Sequence, residues 1–207
     1  MNEAIQKIEE ILQIKLQEDN YKTNPPNAYS ISRAGGHISL LKLDQVTIES
    51  VDALLPYLPN LGEFTLTNST VSNISELLKL QTWKLCIENV VFKNEEYDET
   101  ILDGLELRRT PNEVHIDNTR INVRALRDFN DFKFLFISDS HISNIYALCN
   151  FSTLYQANLT QVTFEETEEY KIQNGSKENS FMLTIEDCTI EKRDFFIPFA
   201  SHIFSLR

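Results

Sequence analysis

One spacing of apolar positions recurs along the chain: apolar-x-apolar-x-x-x-x-apolar. It occurs as Leu41/Leu43/Ile48, Phe64/Leu66/Val71, Leu85/Ile87/Phe92, Val114/Ile116/Ile121, Leu135/Ile137/Ile142, Ala157/Leu159/Phe164 and Leu183/Ile185/Ile190. All twenty-one positions are apolar although only 42% of the chain is hydrophobic, so the spacing is not a by-product of composition. Successive copies start 23, 21, 29, 21, 22 and 26 residues apart. The alternating pair predicts a short strand that turns both residues to one face. Behind it the rhythm changes: Val51, Leu54 and Leu58, then Ile74, Leu77 and Leu80, then Ile145, Leu148 and Phe151 recur every third or fourth residue. That spacing fits a helical or 3-10 return. Each unit thus reads as a short strand, a bend and a loose helical return. A unit this small cannot bury its own apolar stripe. Stacking the units, with strands about 4.8 Å apart, places the stripes on one continuous core.

This pattern resembles the leucine-rich repeat, LxxLxLxxNxL, in its 22-residue form with IxxIxxLxxL after the strand. Segment 135–159, LFISDSHISNIYALCNFSTLYQANL, is similar to the internalin-like class of bacterial repeats. The resemblance implies an α/β fold of about seven repeats: a leucine-rich repeat solenoid with a curved parallel β-sheet on the concave face, short helical, 3-10 or irregular returns on the convex face, and a cap at each end. It covers roughly residues 38–190. It implies fold more than function, because the architecture serves many functions. The family's asparagine, three residues after the second strand leucine, is replaced here by Val46, Ser69, Val90, Thr119, Ser140, Val162 and Cys188. A hydroxyl or thiol can partly replace its bonds to backbone, and valine cannot, so irregular turns are expected at 46, 90 and 162.

The predicted organisation is a single domain, 1–207, with an N-terminal helix and hairpin cap over 1–37, repeats over 38–190 and a C-terminal cap over 191–207. Ile5, Ile8, Leu12 and Leu16 share one face of an expected helix over 3–17. Arg33-Ala34-Gly35-Gly36 reads as a hairpin turn. Phe195, Phe196, Ile197, Phe199, Ile203 and Phe204 make the end of the chain too apolar for a free tail. Residues 93–112 add about a turn of chain, with a short helix expected from Thr100 to Leu107. Residues 165–180 are acidic and rich in turn formers, and are expected to be a loop.

Alternation sends the residue between the two core positions to the opposite face. That slot holds Lys42, Thr65, Cys86, His115, Phe136, Asn158 and Thr184. The slot before it holds Leu40, Glu63, Lys84, Glu113, Phe134, Gln156 and Met182. The two slots after the strand pair, from Asp44/Gln45 through Glu88/Asn89, Asp117/Asn118 and Ser138/Asp139 to Glu186/Asp187, contain no Lys or Arg and form an acidic and amide stripe. Phe134 and Phe136 stand out of this polar surface, as aromatic anchors of binding surfaces do. The expected partner-binding residues are Phe134, Phe136, His115, Asp117, Glu88, Asp139 and Asn158. Two readings compete: a one-residue slip of the strand would turn both phenylalanines inward, and a loop such as 93–112 would cover them. Cys86 and Cys188 read as packing residues.

Charge narrows the choice of partner. The chain has 19 Lys and Arg against 31 Asp and Glu, a formal charge of −12, which disfavours a broad phosphate-binding surface. No nucleic-acid partner is expected. Residues 1–20 are charged throughout, and no run of eighteen apolar residues occurs, so neither a leader nor a membrane span is expected and a cytoplasmic location is the default. Three widely spaced cysteines make neither a disulfide framework nor a zinc site. Acids fall one per strand instead of in a calcium loop, and no cofactor or metal is expected. There is no GxSxG, phosphate-cradling glycine loop, HExxH or CxxC, and the four histidines do not cluster. The expectation is therefore a module without catalysis that binds a protein on the acidic, aromatic face, a basic partner fitting best. The alternative is a self-associating structural or recognition solenoid in a multi-protein signalling or defence system. Either a monomer or a weak homodimer is compatible with the sequence.

Overall fold

The computed structural model describes residues 2–19, 24–94, 111–126, 132–151, 153–165, 181–189 and 203–206. The chain opens with α1 (Asn2–Leu12), β1 (Gln17–Glu18) and β2 (Ala28–Ile31). There follow β3 (Ile38–Asp44), β4 (Thr47–Ile48), β5 (Glu63–Thr67), β6 (Thr70–Asn73), α2 (Ile74–Leu78), β7 (Lys84–Glu88) and β8 (Val91–Asn94). The second half carries β9 (Glu113–Asp117), β10 (Arg120–Asn122), β11 (Phe134–Ser138), β12 (His141–Ser143), β13 (Gln156–Thr160), β14 (Thr163–Glu165), β15 (Met182–Glu186) and β16 (Ile203–Leu206). Short 3-10 helices occupy Leu55–Tyr57, Val123–Leu126 and Ile145–Asn150.

These elements make an α/β fold with few helices and one dominant sheet of ten strands, ordered β1-β2-β3-β5-β7-β9-β11-β13-β15-β16. Every pairing in it is parallel except the β2/β3 hairpin, whose turn carries Gly36 at φ +64, a conformation glycine adopts without steric cost. Parallel neighbours pair without offset: Leu41 opposes Phe64, then Leu85, Val114, Leu135, Ala157 and Leu183 in turn. Of the twenty-one apolar positions in the spacing, twenty are buried, and Ile190 lies outside the described residues. The nine apolar residues of the three best returns are buried as well. In the first six units the third apolar position, expected at a bend, sits on an additional short strand. These strands form two further parallel ladders, β4-β6-β8 and β10-β12-β14.

Parallel sheets are ordinarily covered on both faces, and their strands are then apolar throughout. Here β5, β9, β11 and β13 share one strict alternation, half-buried then buried. Only one face of these strands is packed into the core, and the other is half-buried.

Two expectations fail. Helix α1 ends at Leu12 instead of 17: Gln13 turns left-handed at φ 55, and the Glu9 carboxylate takes the Leu16 N–H at 2.8 Å, so Leu16 is buried from an extended segment that leads into β1. The turns at 46, 90 and 162 are also regular. Each strand of the series ends at a left-handed residue, namely Gln45, Asn68, Asn89, Asn118, Asp139, Gln161 and Asp187, with φ between 43° and 57°. Valine supplies no acceptor, but the neighbouring turn does. Ser69 Oγ accepts from Val46 N–H at 3.0 Å, Thr119 Oγ1 from Val90 N–H at 3.2 Å and Cys188 Sγ from Val162 N–H at 3.4 Å. The buried amide is satisfied by a side chain one strand away, so the turn has no reason to distort.

The predicted helix at 100–107, the loop over 165–180 and the apolar segment 193–199 lie outside the described residues, except for Glu165 in β14. Ile203 and Phe204 belong to β16, which pairs with β15 and ends the sheet.

Candidate interaction surface

The open face is built from the residues that alternate with the core. Leu135 and Ile137 are 0% and 2% exposed while Phe134 and Phe136 are half-buried, which excludes a slipped strand. In-register pairing sets Cys86, His115, Phe136 and Asn158 side by side across four strands. It likewise aligns Glu88, Asp117 and Ser138 along the next file. The fixed strand spacing has a direct consequence. The His115 and Phe136 rings stack with centroids 4.6 Å apart and planes inclined by 16°. Phe134 meets Tyr155 edge to face, with centroids at 5.9 Å and planes at 72°. Both geometries are favourable for aromatic pairs.

The remaining predicted residues divide. His115 Nε2 lies 3.4 Å from Glu113 Oε2. Asp117 is half-buried and accepts a hydrogen bond from Ser138 Oγ. Asn158 accepts from Gln156 Nε2 at 3.0 Å. Glu88 is exposed on the same face, one strand from Asp117. Asp139 is not among them: it is the left-handed residue beyond the end of β11 and belongs to the rim. Much of the amide stripe is similarly taken up by itself. Asn68 Nδ2 donates to Asp44 Oδ1 at 2.7 Å, Asn89 Nδ2 to Asn68 Oδ1 at 2.7 Å and Asn118 Nδ2 to Asn89 Oδ1 at 3.5 Å. The ladder ties successive turns together, so these amides serve the stack first.

Two exposed aromatics escaped the sequence reading. Trp83 and Tyr155, each 60% exposed, immediately precede β7 and β13. Their carbonyls accept from the start of the next strand of the sheet: Trp83 from the N–H of Asn112, just before β9, and Tyr155 from the N–H of Met182, the first residue of β15, at 2.7 and 2.9 Å. The available signal was a large aromatic just before a predicted strand, out of step with the core spacing.

Burial pushes the Cys86 thiol up, against the opposing pull of Lys84. It also pushes up Cys188, whose sulfur is engaged by the Val162 amide. Among the described residues no three His, Cys, Asp or Glu side chains converge as a metal site would require, and no helix is long and apolar enough to cross a membrane. Comparison with protein-family models, curated proteins and solved structures gives no match.

Proposed function

We propose that the chain is a solenoid of the leucine-rich-repeat type that binds a protein partner on its open sheet face and carries no catalysis. The observation that supports this reading is an aromatic group, the half-buried Phe134, Phe136 and His115 with the exposed Tyr155 at its edge, held on strands whose opposite side is fully packed. A regular parallel sheet fixes these rings before any partner arrives, so little ordering entropy is lost on binding. The aromatics supply contact area and the surrounding carboxylates supply selectivity and steering.

The test is affinity capture from the cell that makes the protein, wild type against Phe136→Ala and Phe136→Asp. Loss of the same captured partner with both variants, at unchanged melting temperature, supports the reading. Truncation of Phe136 is expected to cost binding about 2 kcal/mol. Equal recovery by all three proteins removes it. Light scattering over a range of concentrations covers the alternative: a dimer that Phe136→Asp dissociates identifies a second copy as the occupant of the face.

A further inference from the structure

The charge around the aromatic group is one-sided. On the open face of β3, β5, β7, β9, β11, β13 and β15 stand six carboxylates (Asp44, Glu63, Glu88, Glu113, Asp117 and Glu186) against two lysines, Lys42 and Lys84. Both lysines are already engaged: Lys42 Nζ lies 3.2 Å from Asp19, and Lys84 Nζ lies 3.8 Å from Glu63. Of the other acids, Glu113 and Asp117 lie on β9, next to the ring-bearing β11, and Glu88 lies one strand further on β7. Glu113 is paired in register with Phe134, and Asp117 stands one strand from Ser138 beside Phe136. Lys133 is a further exposed cation nearby, but it precedes β11 and sits at the rim.

A surface that joins ring faces to carboxylates fits one side chain best. The guanidinium of arginine stacks flat on aromatic rings and takes carboxylates through paired N–H donors, whereas the ammonium of lysine is a strongly hydrated point charge without a face. We infer that the occupant of this surface is an arginine-bearing segment of a partner protein, its guanidinium groups lying among Phe134, Phe136 and Tyr155 and paired with Asp117, Glu88 or Glu113. The inference rests on the reading that this face binds a protein, and it names the chemistry of that partner.

The experiment titrates the full chain with three short fluorescent peptides, alternating Arg-Ser, Lys-Ser and Glu-Ser, at low and moderate salt. Expected is binding of the Arg-Ser peptide that exceeds the Lys-Ser peptide by roughly tenfold, with no binding of Glu-Ser. Phe136→Ala and the double variant Glu88→Gln with Asp117→Asn should each weaken the Arg-Ser peptide by about tenfold. Glu49→Gln, whose side chain pairs with Lys93 away from this face, should leave it unchanged. Equal affinity for Arg-Ser and Lys-Ser with no effect of Phe136→Ala would reduce the interaction to general charge attraction and overturn the inference. So would a captured partner that needs Phe136 but docks through an acidic or uncharged segment; in that case the binding reading itself still stands. If the wild-type partner is recovered equally by Phe136→Asp, the binding reading fails, and this inference fails with it.

Discussion

The two halves of the open face share one backbone and differ in the side chains they set on it. Over β3, β5 and β7 the polar side chains largely answer one another: Lys42 with Asp19, Lys84 with Glu63, and Asp44 with Thr67 and Asn68. Over β9, β11 and β13 rings take over: His115 stacks on Phe136, Phe134 packs against Tyr155, and carboxylates border them. Beneath both halves the core is equally closed, with Leu41, Phe64, Leu85, Val114 and Leu135 all at 0% exposure. The regular core therefore leaves the face positions free to vary. Apart from the exposed Glu88, the first half presents polar side chains paired with one another, and the second an aromatic group bordered by carboxylates.

The comparison can be broken by experiment. The largest effects should come from the shared core. Leu66→Ala under the first half and Leu159→Ala under the second are each expected to cost about 2–5 kcal/mol in chemical denaturation. A severe loss in one half beside a negligible loss in the other would deny them a common core. Next come the turn acceptors. Ser69→Ala removes the partner of Val46 N–H, and Ser140→Ala that of Thr119 N–H, at 3.0 and 3.1 Å. Each should cost about 1–3 kcal/mol, because a buried amide is left unpaired. Full stability in both variants would show that the bonds between turns do not support the stack.

A smaller effect belongs to the first half alone, through the cluster behind its returns. Glu76, buried on α2, accepts Val51 N–H at 3.0 Å and holds Lys79 Nζ at 2.9 Å, and Lys79 also reaches Asp52 at 3.1 Å. Burial pulls the Lys79 ammonium down, yet its bonds to Glu76 and Asp52 outweigh this and its pKa is raised. Its contribution is therefore complete below the ordinary lysine value and is lost as pH climbs through the raised one. Asp52 is held below its ordinary value, first by Ser50 and then by Lys79. Its contribution is present above that ordinary value and is lost as pH falls through the lowered one. Melting temperature should hold level between about pH 5 and 9 and sag at both extremes. Lys79→Met should flatten the alkaline sag, and an unchanged pH profile in that variant would clear the cluster of this role. Asp52 is largely solvent-exposed, so its acid-side share is modest.

The smallest stability effects should fall on the face itself. Lys84→Ala and Phe136→Ala are each expected to move stability by about 0.5 kcal/mol or less, while only Phe136→Ala changes binding. Equal binding losses from the two would erase the distinction between the halves. In the same spirit, Cys86, whose thiol is pushed up by burial, should react with a soluble alkylating reagent at neutral pH more slowly than a free cysteine.

Much of the fold was legible in the chain because the signals are local. Leu135 and Ile137 lie two residues apart, and a strand must put them on one face whatever lies next to it, so their burial and the outward slots of Phe134 and Phe136 follow from alternation. The spacing of Ile145, Leu148 and Phe151 fixed the 3-10 return in the same way. The contacts that give the surface its character bridge twenty or more residues, and no local pattern specifies them. Register alone put His115 against Phe136, and Phe134 against Tyr155. Stacking alone supplied Val46, Val90 and Val162 with acceptors from Ser69, Thr119 and Cys188, and so spared the turns that a single segment could not have satisfied. It also raised the third apolar file from a bend to paired strands and moved Asp139 from the face to the rim. The sequence thus determined which side chains point inward. The tertiary structure decided which outward ones meet, because hydrogen-bonded register between distant segments, and not spacing along the chain, sets their distances.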